Sequence, residues 1–317
     1  MLKKILYIGL FALFTTGCAK KEGFAVRKIT SSHAPNEKWE TEAISGDQLE
    51  ELKTLFDEPF YYLAKGCQSY AFVSADGKTV LKFFRQRRLG RHTWQNALPL
   101  PHSLMKGYAK KFEEGLAQRE KEFSGYKEAF ENLRDETGLV YLHLNPTHEL
   151  LNKKVTLYYK NKRVDVIDID KFEFVLQKRA ILGFDHLEDL MKRGEQRRAL
   201  NSICSFVNLI INRCQKGYAD YDQQFSKNFG FINDQAIEID IGYLEKDPSM
   251  KSADKCQTEV ESVTEWVLNW FYENHPETLP RVKEIIKRTV NEKCACQGSD
   301  LSTQTLPTQE ESSSQSD

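Results

Sequence analysis

The sequence predicts an α+β fold, strand-rich in the first half and helix-rich in the second. Three observations carry this. Phe60–Phe84 holds three short runs of β-branched and aromatic residues separated by Gly-containing turns. Val155–Tyr159, Val164–Ile169 and Phe172–Gln177 repeat that pattern farther along. Arg198–Cys214 and Glu259–Tyr272 then place apolar residues at helical spacing. A chain of 317 residues, 40% hydrophobic and 29% charged, is long enough to bury one large core or two lobes. A net charge of −1 gives no footprint for a nucleic-acid partner.

The chain opens on Lys3 and Lys4, followed by the apolar run Ile5–Phe14, shorter than the roughly 20 residues of a spanning helix. Thr15-Thr16-Gly17-Cys18 then sets small residues before a cysteine. The segment resembles a bacterial lipoprotein signal, with Thr15 where leucine is usual. That resemblance implies a signal peptide over 1–17, cleavage before Cys18 and lipidation of Cys18 with palmitate-type acyl chains. The mature protein would then be exported and held in a bacterial cell-envelope membrane, with the bilayer as its partner. A secretory signal without lipid, or a cytosolic protein with an apolar start, is the alternative. Residues 18–48 are polar with little periodicity and read as a tether. The other six cysteines permit disulfides in an exported chain, but Cys204 and Cys214 share one predicted helix, and free thiols are the simpler reading.

Leu49–Phe56 reads as a short helix. Gly66 turns the first hairpin of Phe60–Phe84, and Asp76-Gly77 the second. Along Thr79–Phe84, Val80, Lys82 and Phe84 share a face, and a lysine there either meets an anion or snorkels to the surface. Arg85–Arg91 is basic, suited to anionic lipid heads or to a solvated loop. Tyr108–Leu133 is helical, with Phe112, Leu116, Phe123, Phe130 and Leu133 recurring. His186–Arg193 is a short helix. In Arg198–Cys214 the stripe Leu200, Ile203, Phe206, Val207, Ile210 and Ile211 ends at a capping Gly217. Glu259–Tyr272 and Pro280–Val290 are helical, and 297–317 is a Ser/Thr/Gln/Glu tail expected to be disordered.

Between them lies Lys227–Gly242, a loop, strand, polar turn and strand ending in Asp240-Ile241-Gly242. A hairpin with Asn228 and Asp240 at its open end offers two hard oxygen donors, which suits Mg²⁺. Gly66, the strand lysine Lys82 and this late hairpin, in this order, resemble the protein-kinase-like superfamily, nearest to small atypical bacterial members. The resemblance spans about Phe60 to Asp247. It implies a two-lobed kinase-like fold, with an N-lobe antiparallel sheet plus one helix and a reduced, mainly helical C-lobe. The kinase-like domain would cover 49–296, with lobes of about 49–178 and 179–296. Phe174–Lys178 would form the connection that meets adenine. Mg-ATP is the implied cofactor, with Gly66 and Lys82 on its phosphates. Glu122 would pair with Lys82, with Glu120 close behind as an alternative, and Asn228 and Asp240 would bind the metal. Asp222 is the implied base, with Asp220 as the alternate.

The departures are specific. Gln223 stands where the family's catalytic aspartate falls, with no His-Arg before it. Ala64 and Ser69 occupy two glycine places, and nothing resembling Ala-Pro-Glu follows Gly242. Three readings follow: an anchored phosphotransferase acting on an unidentified hydroxyl, a pseudokinase that binds or scaffolds a protein or small-molecule partner, and a structural lipoprotein without a nucleotide.

Overall fold

The computed structural model describes residues 24–31, 34–41, 44–86, 102–160 and 162–294. The signal segment 1–17, Cys18, Arg87–Arg91 and the tail 297–317 lie outside the described residues.

Helix α1 (Gly46–Thr54) starts at a capping box in which Ser45 and Gln48 satisfy each other's backbone N–H groups. Strands β1 (Phe60–Lys65), β2 (Ser69–Ser74) and β3 (Thr79–Phe84) form the two hairpins read from the sequence. Gly77 takes a positive φ of 73° in the second turn, where Ser74 and Asp76 hydrogen-bond at 2.6 Å. Helix α2 (His102–Asn132) and the single turn α3 (Arg134–Thr137) lead to β4 (Leu139–His143). β5 (Lys154–Tyr158), β6 (Val164–Asp168) and β7 (Phe174–Lys178) follow. The seven strands form one sheet in the order β4-β7-β3-β2-β1-β5-β6. It is antiparallel throughout except where Phe60 and Tyr61 run parallel to Leu157 and Tyr158, so the expectation of a wholly antiparallel sheet is corrected at one pairing.

Both faces of this sheet are partly covered. Phe60, Phe72, Leu81, Phe83, Leu157 and Phe174 form a core with α1 on one side. Phe84, Leu142 and Val175 form a second core with Phe123, Tyr126 and Phe130 of α2 on the other. Part of the expected tether belongs to the first core. Ile29 is fully buried, and Phe24 packs on Tyr70, Phe72 and Tyr159 with ring centroids 5.0–5.1 Å apart. Trp39 meets Phe123 edge-on at 5.3 Å. Apolar burial overrides the polar composition there, so the described part of 18–48 lies against the domain and does not hang free.

A short strand β8 (Ile181–Leu182) opens the second lobe, followed by α4 (Gly183–Lys192) and α5 (Gln196–Lys216). The link between lobes is therefore Arg179–Ala180. Phe174–Lys178, expected as that link, is instead the β7 strand, whose side chains Phe174–Gln177 are buried between β3 and β4. α5 is the axis of the C-lobe core, with Ile203, Phe206, Val207 and Ile210 buried. It stops at Gly217, left-handed at φ 82°, which caps its carbonyls. Strand β9 (Tyr218–Asp220), the turn α6 (Phe225–Asn228), β10 (Phe229–Ile232), β11 (Gln235–Glu238) and β12 (Leu244–Lys246) carry the loop and hairpin. α7 (Ala253–Asn274) and α8 (Leu279–Cys294) close the lobe against α5. The result is the two-lobed α+β fold expected, with a small, mainly helical second lobe.

Candidate functional site

The cleft between the lobes is set by the underside of α2. Gly125 approaches the segment after Asp240 so closely that a Cβ there would lie 2.8 Å from the Ile241 carbonyl. Ile241 and Leu244 are buried with Phe123 and Tyr126. Lys121 pairs with Glu245 at 2.5 Å, and Tyr218 Oη donates to Glu128 at 2.7 Å. Gln177 ties the lobes from the sheet side, donating to the Thr137 and Glu238 carbonyls at 2.6 and 3.3 Å. These contacts hold a strand from the first lobe over a hairpin from the second.

That strand is β3, and it brings Lys82 to the hairpin. The Lys82 ammonium donates to the Ile239 carbonyl, and Asp240 is its charge partner. Burial pushes the Lys82 pKa below its usual value, and Asp240 pulls it back up. Burial likewise raises Tyr126 well above the usual phenol, with the Asp240 and Glu122 charges adding to the effect. Lys82, Asp240, Tyr126 and Glu122 thus form one electrostatic neighbourhood. Glu122 is the buried acid of α2, and it accepts from Gln118 at 3.0 Å. Glu120, the alternative, is exposed and pairs with Lys38. Asp240 acts on Lys82, and Asp240 and Glu122 act together on Tyr126.

At the hairpin's open end the Ile239 N–H donates to the Asn228 carbonyl at 2.7 Å, which closes the ladder below Phe229–Glu238. The two-residue turn Asn233-Asp234 has φ 49° and 68°, the conformation that matches strand twist. Asn228 is buried, and its Nδ2 donates to the Asp222 carbonyl, so its Oδ1 is the atom left to offer a cation. Asn228 Oδ1 and the Asp240 carboxylate are hard oxygen donors of the kind Mg²⁺ takes alongside water and phosphate, so the residues fit the ion. Among the described residues no cluster of three or more His, Cys, Asp or Glu is placed to hold a metal.

The two candidate bases separate by environment. Asp220 is buried, its Oδ1 accepts the Asp222 N–H at 3.0 Å, and its carbonyl accepts from Gln223 at 2.5 Å. Its charge acts on Arg213 and Glu238. Asp220 is a brace of the loop. Asp222 is half-buried next to Asn228, and its Oδ1 accepts only a long 3.4 Å contact from Gln224. Of the two, Asp222 is the more exposed.

Two elements of the site were not read from the sequence. Arg213 is fully buried at the end of α5, 2.8 and 2.9 Å from the Glu238 oxygens and 2.6 Å from Glu259. It anchors β11 and the loop brace at once. The available signal was its place in the apolar stripe, three residues after Ile210. The second element is Gln68. It lies between Gly66 and Ser69 in the β1–β2 turn, is 6% exposed, and its Oε1 has no hydrogen-bond partner. It fills the space over Gly242, where a Cβ would meet Oε1 at 1.9 Å. Arg85 pins the turn, donating to the Gly66 and Cys67 carbonyls at 3.1 and 2.8 Å. Gly66 therefore turns the chain as expected, while the glutamine beside it occupies the cleft.

No family model matches the chain, and no curated protein matches it. Solved structures similar to it include the bifunctional kinase-methyltransferase WbdD at medium resolution and WbdD co-crystallised with a kinase inhibitor. The inhibitor complex is 13% identical over 78% of this chain and 46% of that one, with a TM-score of 0.35. The other is 12% identical over 71% and 43%, with a TM-score of 0.32. The chain spans less than half the length of either.

Proposed function

We propose that the chain is a kinase-like protein that binds Mg·ATP between its lobes and transfers a phosphoryl group to a hydroxyl acceptor. One observation carries the reading: Lys82 of the first sheet reaches the late hairpin and donates to the Ile239 carbonyl, the residue before Asp240, whose charge acts on it. Phosphoryl transfer needs positioning and neutralised charge more than covalent help from the protein. Lys82 supplies a positive charge that can exchange the Ile239 carbonyl for a phosphate oxygen. Asn228 and Asp240 would hold Mg²⁺, which would supply positive charge to offset that of the phosphates. Asp222 orients the acceptor hydroxyl and takes its proton.

A pseudokinase is the second reading, and Gln68 favours it. A side chain buried over Gly242, with Lys82 hydrogen-bonded to Ile239, narrows the cleft where a nucleotide would sit. ATP hydrolysis and phosphotransfer by wild type, Asp222→Ala and Asp240→Ala separate the two. Turnover lost in both variants supports the enzyme. Binding without turnover above the Asp240→Ala background leaves the pseudokinase.

Anchoring through acylated Cys18 is part of the proposal, supported by Lys3–Lys4, Ile5–Phe14 and the small residues before Cys18. The mass of the N-terminal peptide of the mature protein tests it, since diacylglycerol on Cys18 is read directly.

A further inference from the structure

The sheet is covered unevenly. Among the described residues α2 packs over β3, β7 and β4 through Phe84, Leu142 and Val175, and no buried residue of β1, β5 or β6 belongs to that core. There, Phe60, Val155, Leu157 and Ile167 are buried on one face. The opposite face shows Tyr61, Tyr158, Val164 and Val166, with Tyr61 44% and Val166 61% exposed. Register puts them side by side: Tyr61 opposite Tyr158, Tyr158 opposite Val164, and Thr156 opposite Val166. The two tyrosine rings stack at 5.1 Å. An open sheet face normally alternates to polar residues, so a contiguous apolar row calls for an occupant.

The charges beside the row say which occupant. The β5–β6 hairpin, 153–168, carries Lys153, Lys154, Lys160, Lys162 and Arg163 against Asp165 and Asp168. Asp168 is already paired with Lys171 at 3.0 Å and Asp165 with Arg163 at 3.2 Å. Lys154, Lys160 and Lys162 are exposed. Paired tyrosines and valines bordered by lysines suit a lipid–water boundary with anionic head groups. The incoming chain reaches the same end of the sheet from its other face: Phe24, the first described residue, packs on Phe72 and stacks on Tyr159 at 5.0 Å. Cys18 precedes it by six residues, a reach of about 20 Å at most.

We propose that this face, Tyr61, Tyr158, Val164 and Val166 with the hairpin lysines, is seated on an anionic bilayer surface. The inference rests in part on the lipid anchor at Cys18. Lys82 shares the same face of the sheet, through Ala71 opposite it and Val73 opposite Tyr61. A bilayer seated there lies alongside the cleft, not behind it.

The test is side-chain oxidation by hydroxyl radicals on the full mature chain reconstituted in vesicles of phosphatidylethanolamine and phosphatidylglycerol. Exposed Tyr272 and Trp266 on α7 serve as internal references. Tyr61 and Tyr158 are expected to oxidise at least about fivefold more slowly than Tyr272. Raising salt to about 1 M, or making Lys154→Glu with Lys162→Glu, should return much of that rate. Tyr61 oxidising as fast as Tyr272 in anionic vesicles overturns the proposal. So does protection that ignores salt and charge reversal and grows with protein density, which assigns the face to a second copy. The same digest reads the Cys18 peptide. Lipid on Cys18 without protection defeats the face and leaves the anchor standing, and protection without lipid does the reverse.

Discussion

Truncating Gln68 to alanine should tighten Mg·ATP binding while leaving folding nearly unchanged. The wild-type side chain buries two methylenes over Gly242, worth about 0.8 kcal/mol each. It also buries a carbonyl oxygen without a donor, a penalty of about 1–3 kcal/mol. The two terms oppose, so Gln68→Ala is expected to shift stability in a urea titration by no more than about 1 kcal/mol. A nucleotide entering the wild-type cleft must first lift that side chain off Gly242 and forfeit its methylene burial. That burial is about 1.6 kcal/mol and is partly offset by rehydrating the oxygen, so the variant should bind more tightly by up to about tenfold in isothermal titration calorimetry. Gly242→Ala reaches the same end from the other side, because its Cβ would lie 1.9 Å from Gln68 Oε1 and must eject it. The two substitutions together should therefore give less than the sum of their separate effects. Weaker binding by Gln68→Ala would refute the reasoning and make Gln68 a ligand of the nucleotide.

Other outcomes follow from the buried groups. Arg213→Met leaves the Glu238 carboxylate buried without its partner and should cost about 3–5 kcal/mol in chemical denaturation. Asp222→Asn should remove turnover without moving Tm, while Asp220→Asn should lower Tm, because only Asp220 is buried and braces the loop. His143 is buried between the Phe172 carbonyl at 2.8 Å and Thr147 at 3.1 Å, and burial lowers its pKa, opposed by Phe172 and Asp170. The unfolded chain then binds more protons just below the usual histidine value of about 6.5, so stability should fall as pH drops through that point. A Tm profile from pH 8 to 5 checks this (roughly the range in which histidine titrates), and His143→Gln should flatten it.

Local signals were legible wherever a turn or a stripe announced itself. Asp76-Gly77 and Asn233-Asp234 set their hairpins through positive φ, and the stripe of α5 ended at Gly217 as its composition required. The approach of Lys82 to the late hairpin was legible because a lysine on an apolar strand face calls for a partner. What escaped the sequence depends on distant partners. Phe24, Ile29 and Trp39 show no period of their own, and only the sheet and α2 bury them. Arg213 needs Glu238 and Glu259, 25 and 46 residues away, before its burial makes sense. Within α2, acidity alone did not separate the two candidates; the helix's rotation buries Glu122 and leaves Glu120 exposed. Gln68 gave no signal, since a polar residue in a turn ordinarily faces water.

Equilibrium binding of Mg·ATP to wild type and Lys82→Met, measured by thermal shift and calorimetry, addresses the cleft itself. The account predicts saturable binding by wild type that raises Tm, weakened at least about tenfold when the ammonium is removed. Equal affinity in both proteins, or no binding by either at millimolar nucleotide, would contradict it.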